Sequence, residues 1–175
     1  MKPLINLADA PSGGGYHGDQ FEYRMAELAR PLAAKKIGAN VTRVPPGKAA
    51  FPHHHHRANE EHFFVLGGTG ILRLGSETYS VRPHDYIVIP PGGPELAHQL
   101  INTGTEDLSY LAISTMELPE VVGYPDSGKT GVRTTYSDDP GARFLVQDDA
   151  KDRVTYWEGE TGEAVDAAVA ADRRP

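Results

Sequence analysis

Between Asn40 and Met116 glycine and proline cut the sequence into short runs of β-branched and aromatic residues, and this spacing leaves little room for anything but strands. The runs cover residues 41–44, 61–66, 71–74, 78–81, 86–89, 97–101 and 108–114. Turn signals part them: Pro45-Pro46-Gly47, Gly67-Gly68-Thr69-Gly70, Gly75-Ser76, Pro83-His84-Asp85 and Pro90-Pro91-Gly92-Gly93-Pro94. Helical crossovers do not fit between runs this close, so an all-β sandwich or barrel of antiparallel strands is expected.

The flanks read differently. Residues 1–20 hold Pro11-Ser12-Gly13-Gly14-Gly15 and Gly18-Asp19, a composition that punctuates rather than packs, and are expected to form a mobile arm. Residues 21–34 fit a helical face through Phe21, Met25 and Leu28 or an edge strand, and stay unassigned. After Met116 the chain turns polar and glycine-rich through Tyr124-Pro125-Asp126-Ser127-Gly128-Lys129, the mark of a long connection lying over a barrel. Residues 143–147 and 153–157 could add two strands, and residues 164–171 a short helix. The organisation expected is an arm and extension over 1–39, a barrel over 40–116 and a C-terminal extension over 117–175.

Charge and cysteine content exclude several functions. The 175 residues carry 17 Lys and Arg against 24 Asp and Glu, a net charge of −7, and eight of the acids lie between Asp148 and Asp172. No basic stripe is present to collect phosphates, which argues against nucleic acid as a partner. With no Cys, the chain has no thiolate metal site, disulfide or cysteine nucleophile, so any metal must be held by nitrogen and oxygen. The apolar run of residues 1–10 is broken by Asn6 and Asp9 and does not read as a secretion signal; no 18-residue apolar stretch occurs, so no membrane partner is expected and a soluble cytoplasmic protein is.

The chemistry lies in His53-His54-His55-His56, followed closely by Glu60-Glu61-His62. An expression tag would sit at a terminus. A solvated polar loop is the plainer alternative, but this cluster leads straight into the apolar Phe63-Phe64-Val65-Leu66. On a strand, alternate side chains share a face, so His54 pairs with His56 and His53 with His55, and only one pair can face a barrel interior. Glu61 shares a face with Phe63 and Val65, Glu60 with His62 and Phe64. Alternation alone leaves both registers open.

These residues resemble the cupin superfamily over about residues 40–116. Its first motif is Gly, a spacer, His-x-His, three or four residues, Glu, six residues, Gly; its second is Gly, five residues, Pro-x-Gly, a spacer, His, three residues, Asn. Here Gly47, His54, His56, Glu61 and Gly68 fit the first, and Pro90, Gly92, His98 and Asn102 the second. His53, His55, Glu60 and Gly67 satisfy the same spacing. The family normally follows its Glu strand with an apolar pair, one variable residue and Gly-x-Gly, which Val65-Leu66-Gly67-Gly68-Thr69-Gly70 matches when Gly68 is the motif glycine, so the resemblance favours His54, His56 and Glu61. His84 stands where the second motif usually has Gly, which implies a different turn there, and five residues instead of two separate Gly92 from His98.

The resemblance implies a double-stranded antiparallel β-helix barrel of cupin or jelly-roll type, a homodimer, and a divalent transition metal held by His54, His56, Glu61 and His98. Three imidazoles and a carboxylate suit Fe, Mn, Ni, Cu, Co or Zn at about 2.0–2.2 Å, and a six-coordinate ion would keep two open positions for a small-molecule substrate. It further implies an enzyme acting on a small organic or sugar-like molecule, dioxygenase chemistry slightly ahead of an isomerase, epimerase or decarboxylase using the metal as Lewis acid, with a non-catalytic ligand-binding barrel as the alternative. No catalytic acid or base can be placed. His62 is expected to face outward, His17 and His84 to be solvated, and Gly67-Gly68-Thr69-Gly70 to form a hairpin turn.

Overall fold

A computed structural model describes residues 3–136 and 143–147, with the single residues Glu158 and Glu163. The strands, in chain order, are β1 (Ser12–His17), β2 (Phe21–Glu27), β3 (Ile37–Val44), β4 (His55–His56), β5 (Glu61–Gly67), β6 (Gly70–Leu74), β7 (Glu77–Val81), β8 (Tyr86–Ile89), β9 (His98–Asn102), β10 (Leu108–Thr115), β11 (Glu120–Tyr124), β12 (Lys129–Arg133) and β13 (Arg143–Gln147). They form a six-stranded sheet ordered β1-β2-β3-β10-β5-β8, a four-stranded sheet β13-β12-β11-β4 and a three-stranded sheet β7-β6-β9. All the strand pairs in these sheets are antiparallel, as the double-stranded β-helix requires.

Alternation decides what each strand buries. On β5, Phe63 and Val65 point inward and Phe64 and Leu66 outward, and β10 registers Tyr110 against Val65 and Ala112 against Phe63. These residues join Val44, Leu72, Val81, Ile89, Leu100 and Leu108 in one core. Burying each large side chain contributes roughly 1.5–3 kcal/mol relative to leaving it exposed, enough to pin the register, because a slip of one residue would turn the whole inward set to solvent. Gly67 to Gly70 form a tight connection but not the expected hairpin turn, because β5 pairs with β10 and β8 while β6 crosses into the other sheet to pair with β7 and β9. Gly68 takes φ 75°, and a Cβ there would meet the Asp107 carbonyl oxygen at 2.4 Å, so only glycine fits.

Three further expectations need correction. The N-terminal segment is not a free arm throughout, since β1 pairs with β2 from Ser12↔Ala26 to His17↔Phe21. An edge strand needs only its backbone to pair, and Gly14 allows the close approach, because a Cβ there would lie 2.5 Å from the Tyr23 carbonyl oxygen. The segment after Met116 is not simply a connection: β11 and β12 form a hairpin registered from Glu120↔Arg133 to Tyr124↔Lys129. The turn at His84 keeps a glycine-like backbone, with φ 77°, and its exposed imidazole stacks on Phe64 at 6.3 Å. Residues 21–34 become β2 followed by a 3-10 turn at Arg30–Leu32, and residues 143–147 are β13. The strand expected at 153–157 and the helix at 164–171 lie outside the described residues. Among the described residues no helix is long and apolar enough to cross a membrane.

Candidate metal centre

The two halves of the histidine run are held by different neighbours. His54 exchanges both backbone hydrogen bonds with His98 of β9, its N–H donating at 3.2 Å and its carbonyl accepting at 2.8 Å. His55 and His56 pair instead with Gly123 and Val122 of β11. This stretch of backbone turns His54 and His56 to one side and His53 and His55 to the other.

His54, His56, Glu61 and His98 converge, one ligand-type atom from each lying within 4.8 Å of the others. Glu61 Oε2 sits 2.8 Å from His98 Nε2 and 3.3 Å from His56 Nε2. The His54 ring lies 4.7 Å from that of His98 and 5.0 Å from that of His56. Each imidazole has an oxygen on its far side. His54 Nδ1 donates to the Pro52 carbonyl at 2.8 Å, His98 Nδ1 donates to the Leu96 carbonyl at 3.2 Å, and His56 Nδ1 faces Glu120 Oε2 at 3.5 Å. A proton held at Nδ1 would leave the Nε2 lone pair of each imidazole available to a metal. Leu96 belongs to the enlarged loop between Gly92 and His98, so the extra residues build a 3-10 turn whose last carbonyl orients a histidine.

The electrostatics call for positive charge at this point. Burial and the neighbouring His98 hold the His54 imidazole down to about 3, so it is neutral and free to ligate. Burial alone would also depress His56, but the carboxylates of Glu120 and Glu61 outweigh it and hold the ring up to about 9. Burial opposes ionisation of Glu61, yet the adjacent imidazoles of His56 and His98 keep its carboxyl well below the usual range. Two buried carboxylates thus share one protonated imidazole. His56 Nε2 is buried without a hydrogen-bond partner, and the donor set is three imidazole nitrogens and one carboxylate, so the residues fit a divalent transition metal. His56 and Glu61 keep 17% and 18% of their side-chain surface, which leaves the cluster reachable from solvent.

The other candidates are not brought into this cluster. His53 Nε2 donates to the Ala97 carbonyl at 2.8 Å, with Nδ1 3.4 Å from Asp126 Oδ1. His55 is buried against Gly123. Glu60 Oε1 accepts from His62 Nε2 at 2.8 Å, and His62 lies on the outer face beside the Tyr86 hydroxyl. Asn102 is a fully buried brace, donating to the Val44 and Glu106 carbonyls and accepting from Gly104 N–H. His17 and His84 are exposed. Glu120 and Asn59 are the residues that sequence reasoning missed. Neither falls in a motif: Glu120 is an acid between Leu118-Pro119 and Val121-Val122, and Asn59 is an amide just before Glu60.

The profile of the cupin domain family matches residues 40–114. Over 90 residues the chain is 32% identical to an uncharacterised protein of Methanocaldococcus jannaschii, covering 50% of this chain and 69% of that one. The chain belongs to the cupin family. A second relative, mannose-1-phosphate guanylyltransferase of Salmonella typhimurium, is 36% identical over 106 residues, and the match spans 55% of this cupin but only 21% of that protein. Among solved structures, a protein of Acidithiobacillus ferrooxidans provisionally named a sugar phosphate isomerase is 29% identical, with a TM-score of 0.67 over 77% of this chain and 81% of its own. A sugar phosphate isomerase of the cupin superfamily from Silicibacter pomeroyi, at 20% identity, matches with a TM-score of 0.73 over 88% and 98% of the two chains, a likeness of fold.

Proposed function

We propose that this cupin is a metal-dependent enzyme acting on a small sugar-like molecule by isomerisation, with His54, His56, Glu61 and His98 as the metal ligands. The observation that carries the reading is the convergence of three imidazoles and one carboxylate within 4.8 Å. When bound, a divalent ion supplies a Lewis acid with positions open to a bidentate oxygen ligand. His54 and His98 present lone pairs that adjacent carbonyls have already oriented, so little ordering is left to the moment of binding. Glu61 brings the negative charge. Burial and the charge of Glu61 push the Tyr110 hydroxyl well above its ordinary value, so it stays a proton donor beside the site.

Sugar-like substrates are favoured by the likeness to the protein provisionally named a sugar phosphate isomerase, the most similar of the two solved structures described above in sequence. Dioxygenase chemistry remains the second reading, supported by a nitrogen and carboxylate donor set suited to Fe(II) with open positions. Both readings take the protein to be a cytoplasmic homodimer working on a small molecule, with no nucleic acid or membrane partner.

The test combines metal analysis with turnover. His54→Ala, His56→Ala and His98→Ala are each expected to cut bound metal at least tenfold and Glu61→Gln to weaken it, while His53→Ala, His55→Ala and Glu60→Gln retain it. Metal that survives His54→Ala and vanishes in His55→Ala would make His53, His55 and Glu60 the ligands. The metal-loaded protein is expected to interconvert an aldose–ketose pair in a panel of sugar phosphates followed by proton NMR. Oxygen uptake by the Fe(II)-loaded protein with a diol, diketone or phenol, and no interconversion, would decide for the dioxygenase.

A further inference from the structure

We infer that Glu120 is a positioning residue for the metal centre, holding the proton of His56 on Nδ1 so that Nε2 is free to ligate. The inference rests on the metal reading above and adds a residue from outside the matched segment, which ends at residue 114.

The three histidines of the cluster are oriented in two ways. His54 and His98 each donate to a backbone carbonyl two residues earlier, at Pro52 and Leu96, so their orientation comes from the loop that carries them. His56 has no such carbonyl. Its Nδ1 faces Glu120 Oε2 at 3.5 Å, and neither of its ring nitrogens has another hydrogen-bond partner. Glu120 opens β11, the strand that pairs with β4, and the ladder Val122↔His56 sets the side chain alongside the imidazole.

The carboxylate is itself fixed. Glu120 is 2% exposed. Its Oε1 accepts from the backbone N–H groups of Arg57 at 3.0 Å and Ala58 at 3.3 Å, and its Oε2 accepts from the Asn59 amide. Asn59 is held in turn, because its Oδ1 accepts from Glu117 N–H at 2.6 Å and from the Thr115 hydroxyl at 3.1 Å. A buried carboxylate that is fully held by the three residues following a ligand, and aimed at that ligand's outer nitrogen, is preorganised to accept one more proton donor. A metal-bound imidazole with Nδ1–H is that donor. Charge agrees: Glu61 and Glu120 together offset the two positive charges of a divalent ion.

Glu120→Gln separates this role from simple packing. The amide oxygen can still accept from Arg57 and Ala58, but the amide nitrogen then meets the Asn59 amide and His56 Nδ1 as a donor. That asks Nδ1 to accept and moves the proton to Nε2, the ligating atom. Zinc affinity is measured by chelator competition, and the histidine tautomers of the zinc-loaded protein by long-range proton–nitrogen NMR. Wild type is expected to show His54, His56 and His98 all protonated at Nδ1 and metal-bound at Nε2. Glu120→Gln is expected to bind zinc 10–100-fold more weakly and to lose that pattern at His56 alone. Glu120→Asp keeps the charge but withdraws it by one methylene; it covers the case in which the amide variant does not fold, and it too is expected to lose at least fivefold. Affinity within twofold of wild type in either folded variant, with His56 unchanged, would overturn the assignment. A wild-type protein that binds no zinc, cobalt or iron would instead overturn the metal reading itself.

Discussion

At the scale of single residues, the proposed metal centre would trade one proton for one cation. Without metal, His56 holds a proton up to about 9, above the ordinary imidazole value of 6.5, because two carboxylates flank it. A group raised in the folded state stabilises the fold fully below its unfolded value and loses that contribution as pH rises through its folded value, here from 6.5 toward 9. Metal works against this proton, since His56 must give it up to ligate. His54 adds nothing in this window, being neutral down to about 3, and Glu61 is already ionised. Metal affinity is therefore expected to rise about tenfold per pH unit from pH 6.5 to 9 and then level off, with about one proton released per ion at neutral pH. Chelator competition at several pH values, with calorimetry in buffers of different ionisation enthalpy, checks both. A flat affinity across this range would remove His56 from the ligand set. Strand alternation sorts the histidines and glutamates by face but leaves both registers open; His54, His56, Glu61 and His98 could be read in the sequence only through the cupin motif spacing, with Gly68 as its glycine. Glu120 could not, because its link to His56 is made only when β11 docks on β4, and nothing local announces that pairing.

At the scale of elements, the same limit explains what the flanks concealed. Most of the runs between residues 41 and 114 showed as strands because they bury a face and so carry β-branched or aromatic residues at alternate positions, while β7, exposed up to Val81, showed through its composition and flanking turns. β1 buries no large side chain, and a strand of Ser12, three glycines, Tyr16 and His17 has no apolar period to detect. The β11–β12 hairpin is short, and its Gly123 reads as loop punctuation, yet that glycine has a packing role. A Cβ on Gly123 would lie 2.1 Å from Nε2 of the buried His55, a contact that forces β11 away from β4 or the ring out of its place. Gly123→Ala is expected to destabilise the fold by about 1–3 kcal/mol, the usual range for overpacking, and to weaken metal binding by shifting Glu120 from His56. Gly131→Ala on the neighbouring β12 is the control, since its Cβ would find only ordinary contacts from 3.6 Å. Urea unfolding and zinc competition on both variants test the claim. Equal behaviour of the two would show that β11 does not position the site.

At the scale of the whole molecule, the outer face of the six-stranded sheet carries the surface that argues for a partner. β5 turns His62, Phe64 and Leu66 outward; β8 registers Val88 and Tyr86 opposite His62 and Phe64, and β10 adds Ile113 and Leu111 on the other side. Leu66, Tyr86 and Val88 are 43%, 61% and 46% exposed, and β8 is the last strand of its sheet. A contiguous apolar face beside an unpaired strand edge is costly to leave in water and is often covered by another chain. A second copy of the same face does this most simply, by a two-fold contact in which each protomer presents the same residues. Light scattering at micromolar concentration is expected to give twice the chain mass, and Leu66→Glu with Val88→Lys is expected to halve it. Because both side chains point away from His54, His56, Glu61 and His98, the monomeric double variant should keep wild-type zinc affinity. A monomeric wild type would refute the dimer. A double variant that stays dimeric would move the interface elsewhere, with the exposed Phe144, Leu145 and Val146 of β13 as the next apolar edge to charge.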